Sequence, residues 1–153
     1  MTACFQAFHW CATGATLKEF LRVLQPGGAV ALIWNTRDRR SGWVDSLESI
    51  IDEYYTPDVP RQQTGEFKRV FAAEPAFSPL QSHIIDEGVK QTGDLSLMLD
   101  RVMSISVISA LPDEEKKRAQ QRIIAAFTEH PTTAGLSQYT LPYITEAYWS
   151  YKL

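Results

Sequence analysis

The apolar positions of this chain recur in two rhythms. Leu17, Phe20, Leu21 and Leu24 repeat at helical spacing, with Lys18, Glu19 and Arg22 between them. That pattern predicts an amphipathic helix from Thr13 or Gly14 through Leu24. Gln25-Pro26-Gly27-Gly28 stops it, because proline cannot continue a helix and glycine accepts the positive φ of a tight turn. Ala29 to Trp34 is then an unbroken apolar run, as a central strand covered on both faces requires. The small and apolar residues from Met1 to about Phe8 fit the carboxyl end of an earlier strand. Strand, helix, tight turn and buried strand together make one arm of an α/β sheet.

Farther along, Val44, Leu47, Ile50, Ile51 and Tyr54 predict a second helix from Trp43 to about Tyr55. Thr56 to Thr64 is a loop punctuated by Pro57 and Pro60, and Gly65 to Ala73 is a short helix presenting Phe67, Val70 and Phe71. Phe77 to Gln91 reads as one half-exposed strand. Asp94 or Ser96 caps a helix to about Ser104, while Ser104 to Ser109 suits either a continued helix or a short extended piece. Pro112 opens the next helix, with Asp113, Glu114 and Glu115 near its positive end and Glu114 able to pair with Arg118. It ends by His130, before Pro131. In the last segment Tyr139, Leu141, Tyr143, Ala147, Trp149 and Tyr151 share one parity, with Glu146 and Ser150 on the other. This alternation predicts a strand from Ser137 to about Tyr151. Two long strands joined across a helix suit an antiparallel terminal pair. With no repeat, low-complexity tract or clear linker, residues 1–153 read as a single domain.

Composition narrows the function classes. Hydrophobic residues make up 44% and charged residues 22% of 153 positions, ordinary for a globular chain with a core. A net charge of −3 gives no electrostatic case for nucleic acid or an anionic membrane surface. The longest apolar run, Ala29 to Trp34, is far too short to span a bilayer. No basic stretch followed by an apolar run opens the chain, so no signal peptide is read. Cys4 and Cys11 are the only cysteines and have no partner set at ligand spacing, so neither a disulfide framework nor a metal site is expected. Reduced thiols and a cytoplasmic location are the simple reading.

Four segments, QAFHW (Gln6 to Trp10), RVLQPGG (Arg22 to Gly28), ALIWN (Ala31 to Asn35) and LPYITEAYW (Leu141 to Trp149), occur in an order that resembles the C-terminal half of a class I S-adenosylmethionine-dependent methyltransferase, of the small-molecule type 11 branch. The resemblance covers essentially the whole chain. It implies an incomplete Rossmann-like sheet with flanking helices, whose last strand lies beside the strand that follows the Pro-Gly-Gly turn. The family's glycine-rich turn cradles the methionine part of the cofactor, as backbone approach requires in other doubly wound nucleotide sites. No Gly-x-Gly occurs in this sequence. The expectation is therefore a methyltransferase-like protein for a small-molecule substrate, incomplete or inactive as a lone chain. The open sheet edge would be covered by a second copy, by a separate N-terminal half, or by rearrangement of residues 1–13. The alternative is a non-catalytic small-molecule-binding or assembly module derived from the same fold.

The resemblance also names candidate residues. Gln6, Ala7, Phe8, His9 and Trp10 would line the S-adenosylmethionine cleft, Phe8 and Trp10 serving as core otherwise. His9, with an ordinary pKa near neutrality, is the candidate general base. Trp34, Asn35 and Arg37 follow the central strand at its carboxyl end, where open α/β sheets place ligands. Arg37 suits a bidentate pair with a substrate carboxylate, or a solvated basic loop. Tyr143, Tyr148 and Trp149 on the terminal strand, and Arg101 on the helix before it, are substrate-pocket candidates whose other reading is core or surface.

Overall fold

The computed structural model describes residues 1–153. Along the chain run β1 (Thr2–Phe5), α1 (Gly14–Val23), β2 (Ala29–Arg37), α2 (Gly42–Asp52), α3 (Glu66–Ala72), β3 (Gln81–Ile85), β4 (Lys90–Gly93), α4 (Leu95–Met103), α5 (Ser106–Ser109), α6 (Asp113–Thr128) and β5 (Tyr139–Tyr151). Short 3-10 turns occupy Phe8–Trp10 and Gln62–Thr64. The result is a mixed α/β fold with an open sheet. Its residues form two compact units: Met1–Thr36, Asp58–Gly88 and Ile144–Leu153 make the first, and Arg37–Pro57 with Val89–Tyr143 the second.

In the first unit the strand order is β1-β2-β5-β3. β1 and β2 are parallel, with Thr2 opposite Val30 and Phe5 opposite Ile33. The terminal strand lies beside β2, as the resemblance implied, and pairs antiparallel with β3 from Gln81–Trp149 to Ile85–Thr145. The core gathers Phe8, Leu17, Val30, Leu32, Trp34, Phe67, Phe71 and Tyr148. α1 begins as expected: the Thr13 side chain accepts from the Thr16 amide at 3.2 Å. It ends at the Pro-Gly-Gly turn, where Gly27 has φ +72° and a Cβ on Gly28 would stand 2.8 Å from the Gln25 carbonyl oxygen. Glycine is required at both positions for those separate reasons. The last carbonyls of α1 are capped from the chain's far end, as Lys152 Nζ donates to Leu21 O at 2.7 Å and Leu24 O at 2.8 Å.

The second unit packs α2, α4, α5 and α6 with β4 and the first part of β5 around Val44, Leu47, Ile51, Met98, Val102, Ile123, Phe127 and Leu141. β4 pairs antiparallel with β5 from Lys90–Pro142 to Gly93–Tyr139. Asp94, one of two predicted caps, accepts from the Leu97 amide at 2.9 Å. Ser106–Ser109 is helical, which settles the ambiguous segment. Glu114 pairs with Lys117 at 2.9 Å.

Two strand expectations are corrected. Phe77 to Gln91 is not one strand: Phe77 makes an isolated bridge to Lys152, and β3 and β4 flank a turn around Gly88. Each piece pairs with a different stretch of β5, so the break lets one segment serve two registers. β5 does not keep one parity either. Tyr139, Leu141 and Tyr143 are buried, and then Tyr148 and Ser150. The first three belong to the second unit's core, and Tyr148 belongs to the first unit's core.

Candidate functional site

The parallel register of β1 and β2 brings their carboxyl ends together in the first unit. β1 stops at Phe5, and Gln6 adopts φ +54°, the only non-glycine residue of the chain with positive φ. A left-handed backbone costs an ordinary L-residue about 1–2 kcal/mol. Two contacts hold it there: the Gln6 amide donates to Ile33 O at 2.9 Å, and Gln6 Nε2 donates to Asn35 O at 2.9 Å. Strain of this kind concentrates at functional positions. The kink directs the chain into the 3-10 turn that carries His9 and Trp10.

β2 runs three residues past the predicted apolar stretch. Trp34 points inward with Val30 and Leu32, while Asn35 Oδ1 accepts from Thr145 Oγ1 at 2.7 Å. The Trp34 indole N–H donates to His9 Nδ1 at 3.2 Å. Indole nitrogen is only a donor, so Nδ1 must be the unprotonated nitrogen and the ring proton sits on Nε2. Burial lowers the His9 pKa from its ordinary 6.5, and the ring is neutral near pH 7. In this tautomer the basic nitrogen of His9, the expected general base, is engaged by Trp34, and Nε2–H offers a donor.

Beside Trp34 stands a polar cluster that sequence reasoning missed. The Glu146 carboxylate accepts from Thr36 Oγ1 at 3.2 Å, from Gln62 Nε2 at 3.1 Å and from the Tyr148 hydroxyl at 2.8 Å. Burial, then the bond to Glu146, pushes the Tyr148 pKa up to about 12. Trp34, Phe67 and Tyr148 pack edge-on or tilted with ring centroids 4.8–5.9 Å apart, and Lys68 Nζ lies 5.1 Å from the Tyr148 centroid. Glu146 fell on the parity read as outward, and Gln62 in a loop read only as punctuation. No local pattern marks either residue.

The other named candidates divide. Gln6, Ala7 and Trp10 are exposed, Trp10 at 53%, and His9 is half-buried. Phe8 is corrected to a core residue: it is 0% exposed, with its ring 5.8 Å from Phe20 and 5.7 Å from Phe71. Trp149 is half-buried opposite Gln81. Arg37, Arg101 and Tyr143 belong to the second unit. Arg37 Nη1 bonds Glu48 Oε1 at 2.6 Å, so the carboxylate it binds is the protein's own. The Tyr143 hydroxyl donates to Gln91 Oε1 at 3.3 Å within that unit's core. Arg101 is half-buried in the last turn of α4. A cavity of about 410 Å³ lined by Met1 and Val23–Gly28 lies at the amino end of β2, the end opposite Trp34 and Asn35. No helix is long and apolar enough to cross a membrane.

Comparison with known proteins gives the arrangement a context. No protein-family profile matches the chain. It is 33% identical over 140 residues to an uncharacterized methyltransferase of Mycobacterium tuberculosis, covering 92% of this chain and 53% of that one. It is 30% identical over 154 residues to an uncharacterized methyltransferase of Schizosaccharomyces pombe, covering 100% of this chain and 59% of that one. The chain thus spans somewhat more than half the length of the curated relatives it matches. Among solved structures, a candidate type II methyltransferase of Anaeromyxobacter dehalogenans aligns with 98% of this chain and 63% of its own, at 15% identity and TM-score 0.51. In sequence the chain is similar to methyltransferases over nearly its whole length, and in fold it shares the α/β architecture of a methyltransferase.

Proposed function

We propose that this chain takes part in S-adenosylmethionine-dependent methyl transfer to a small molecule, with Gln6–Trp10 forming one wall of the cofactor site. The observation that carries the reading is Gln6, held at φ +54° at the carboxyl end of a parallel strand pair. Ligands of open α/β sheets bind outside those ends. The similarity to methyltransferases names the chemistry.

The residues present fit one side of such a cofactor. Ala7 and Trp10 are exposed beside the kink, leaving backbone and an aromatic face for a ligand. When bound, S-adenosylmethionine supplies an electrophilic methyl group on a positively charged sulfur. Neutral His9 adds no repelling charge, and its Nε2–H can orient an acceptor atom. Positioning of this sort is the chain's main contribution, since holding reacting groups in line removes much of the barrier. In this reading Gln6–Trp10 hold the cofactor in a chain that has no Gly-x-Gly turn of its own.

Calorimetric titration of S-adenosylmethionine into residues 1–153, with molar mass measured on the same sample, tests the proposal. Saturable binding that weakens in Gln6→Ala supports it. A folded chain that takes up no cofactor in any assembly state overturns it, in favour of a non-catalytic binding module.

A further inference from the structure

Gln62 carries a buried hydrogen-bond acceptor that its surroundings leave unused. The residue is 8% exposed, and its Oε1 has no partner. An amide can be turned over, exchanging oxygen and nitrogen. Here it cannot, because the other end faces the Glu146 carboxylate at 3.1 Å and a carboxylate needs a donor. Nε2 is committed, and Oε1 is the group left over. A buried acceptor without a donor carries a penalty, and native structures keep few of them without a reason.

Glu146 shows the same one-sided balance. Its three partners, Thr36, Gln62 and Tyr148, are all neutral donors. Tyr148 donates its hydroxyl to it and Thr36 shares its own between Glu146 and Ile144 O, so the cluster's spare capacity lies with acceptors. The adjoining aromatic faces favour the same kind of guest. Lys68 Nζ rests 5.1 Å from the Tyr148 centroid and 5.8 Å from that of Phe67. That exposed ammonium marks a position where ring quadrupoles attract a cation. A half-buried carboxylate, an unused amide oxygen and cation-holding ring faces together complement a positively charged donor.

We propose that the Thr36–Gln62–Glu146–Tyr148 cluster binds the ammonium group of a small organic amine, the methyl acceptor in the reading above. Glu146 is half-buried and is met first. The guest N–H takes the place of Gln62 Nε2 on the Glu146 carboxylate, which frees Gln62 to turn its Oε1 to a second N–H of the guest, and the guest displaces Lys68 from the ring faces. The site rests on the methyl-transfer reading only for the ligand's role, and its binding is measured without S-adenosylmethionine.

The test titrates residues 1–153 with benzylammonium, benzyl alcohol and phenylacetate, read by calorimetry and tryptophan fluorescence. Benzylammonium should bind saturably and about tenfold or more tighter than the other two. Glu146→Gln and Gln62→Leu should each weaken it by about tenfold. Lys68→Met, at an exposed position, should tighten it. Equal binding of the three probes, no saturation by folded protein, or wild-type affinity in all three variants overturns the proposal. Titration of S-adenosylmethionine on the same preparation separates the two readings. Ammonium preference without cofactor binding supports this site and sinks the methyl-transfer reading, and the reverse result sinks this site alone.

Discussion

Trp34 donates its indole N–H to His9 Nδ1 at 3.2 Å, and this one bond fixes the tautomer of a half-buried imidazole. The consequence is readable in solution. Burial places the folded-state pKa of His9 below its ordinary 6.5. A depressed pKa means the unfolded chain binds the proton more readily. The stability contributed by neutral His9 is therefore complete above the unfolded pKa and is lost as pH falls from there through the folded value. The ring resonances of His9 should titrate below the ordinary 6.5, and Trp34→Phe should move the His9 midpoint upward. An unmoved midpoint would mean the indole bond has no part in holding the neutral ring.

Gln6 separates strain from support. Replacing it with glycine removes a left-handed penalty of about 1–2 kcal/mol but also deletes the bond to Asn35 O. The two effects oppose, so Gln6→Gly should change stability by less than about 1 kcal/mol in chemical denaturation. Cofactor binding should nonetheless fall, because the segment Ala7–Trp10 loses its fixed departure from β1. Large stabilisation with intact binding would show that the kink serves neither purpose.

How much of this was legible in the sequence differs by element, for physical reasons. α1, its Thr13 cap and the Pro-Gly-Gly stop are local chemistry, and all three stand where the pattern put them. The parallel start, the strand Ala29–Trp34 and the antiparallel terminal strand were also readable. The inward face of β5 was not, because a strand buried by one core at Tyr139–Tyr143 and by another at Tyr148 changes parity midway. Nothing local announces that change. Of the candidate site, the QAFHW segment and Trp34 were visible as a motif, whereas Glu146 and Gln62 meet across 84 positions of sequence. Their partnership exists only once the chain has folded. Phe8 was named with its neighbours and is core, because its ring packs against Phe20 and Phe71, contacts that only the fold supplies.

Arg37 and Glu48 test what an ion pair contributes when it is nearly enclosed. Their side chains are 10% and 11% exposed, and they meet at 2.6 Å. Glu48→Ala strands a guanidinium whose Nε already lacks a partner, and should cost about 3–5 kcal/mol in urea denaturation. Arg37→Met combined with Glu48→Leu should recover most of that loss, because removing both charges removes the desolvation they share. A double variant no better than Glu48→Ala alone would mean the pair organises its surroundings beyond its charge.

Tyr148 gives the Glu146 cluster a signature at alkaline pH. Burial first, then the hydrogen bond to the carboxylate, pushes its pKa up to about 12 from 10. Here the raised pKa favours the neutral phenol in the folded state. The associated stability is complete below the unfolded value near 10 and is lost as pH rises through about 12. Ultraviolet titration of the folded protein should find one tyrosine ionising well above the ordinary 10. Glu146→Gln should bring that midpoint down by removing the negative charge, while Tyr148→Phe should erase the late transition at a cost of about 1 kcal/mol. Because Phe67 and Trp34 pack on the same ring, the phenylalanine variant keeps the aromatic contacts and isolates the hydroxyl's share. A late transition that survives Tyr148→Phe would assign it to another residue and remove the phenol from the Glu146 cluster's electrostatics.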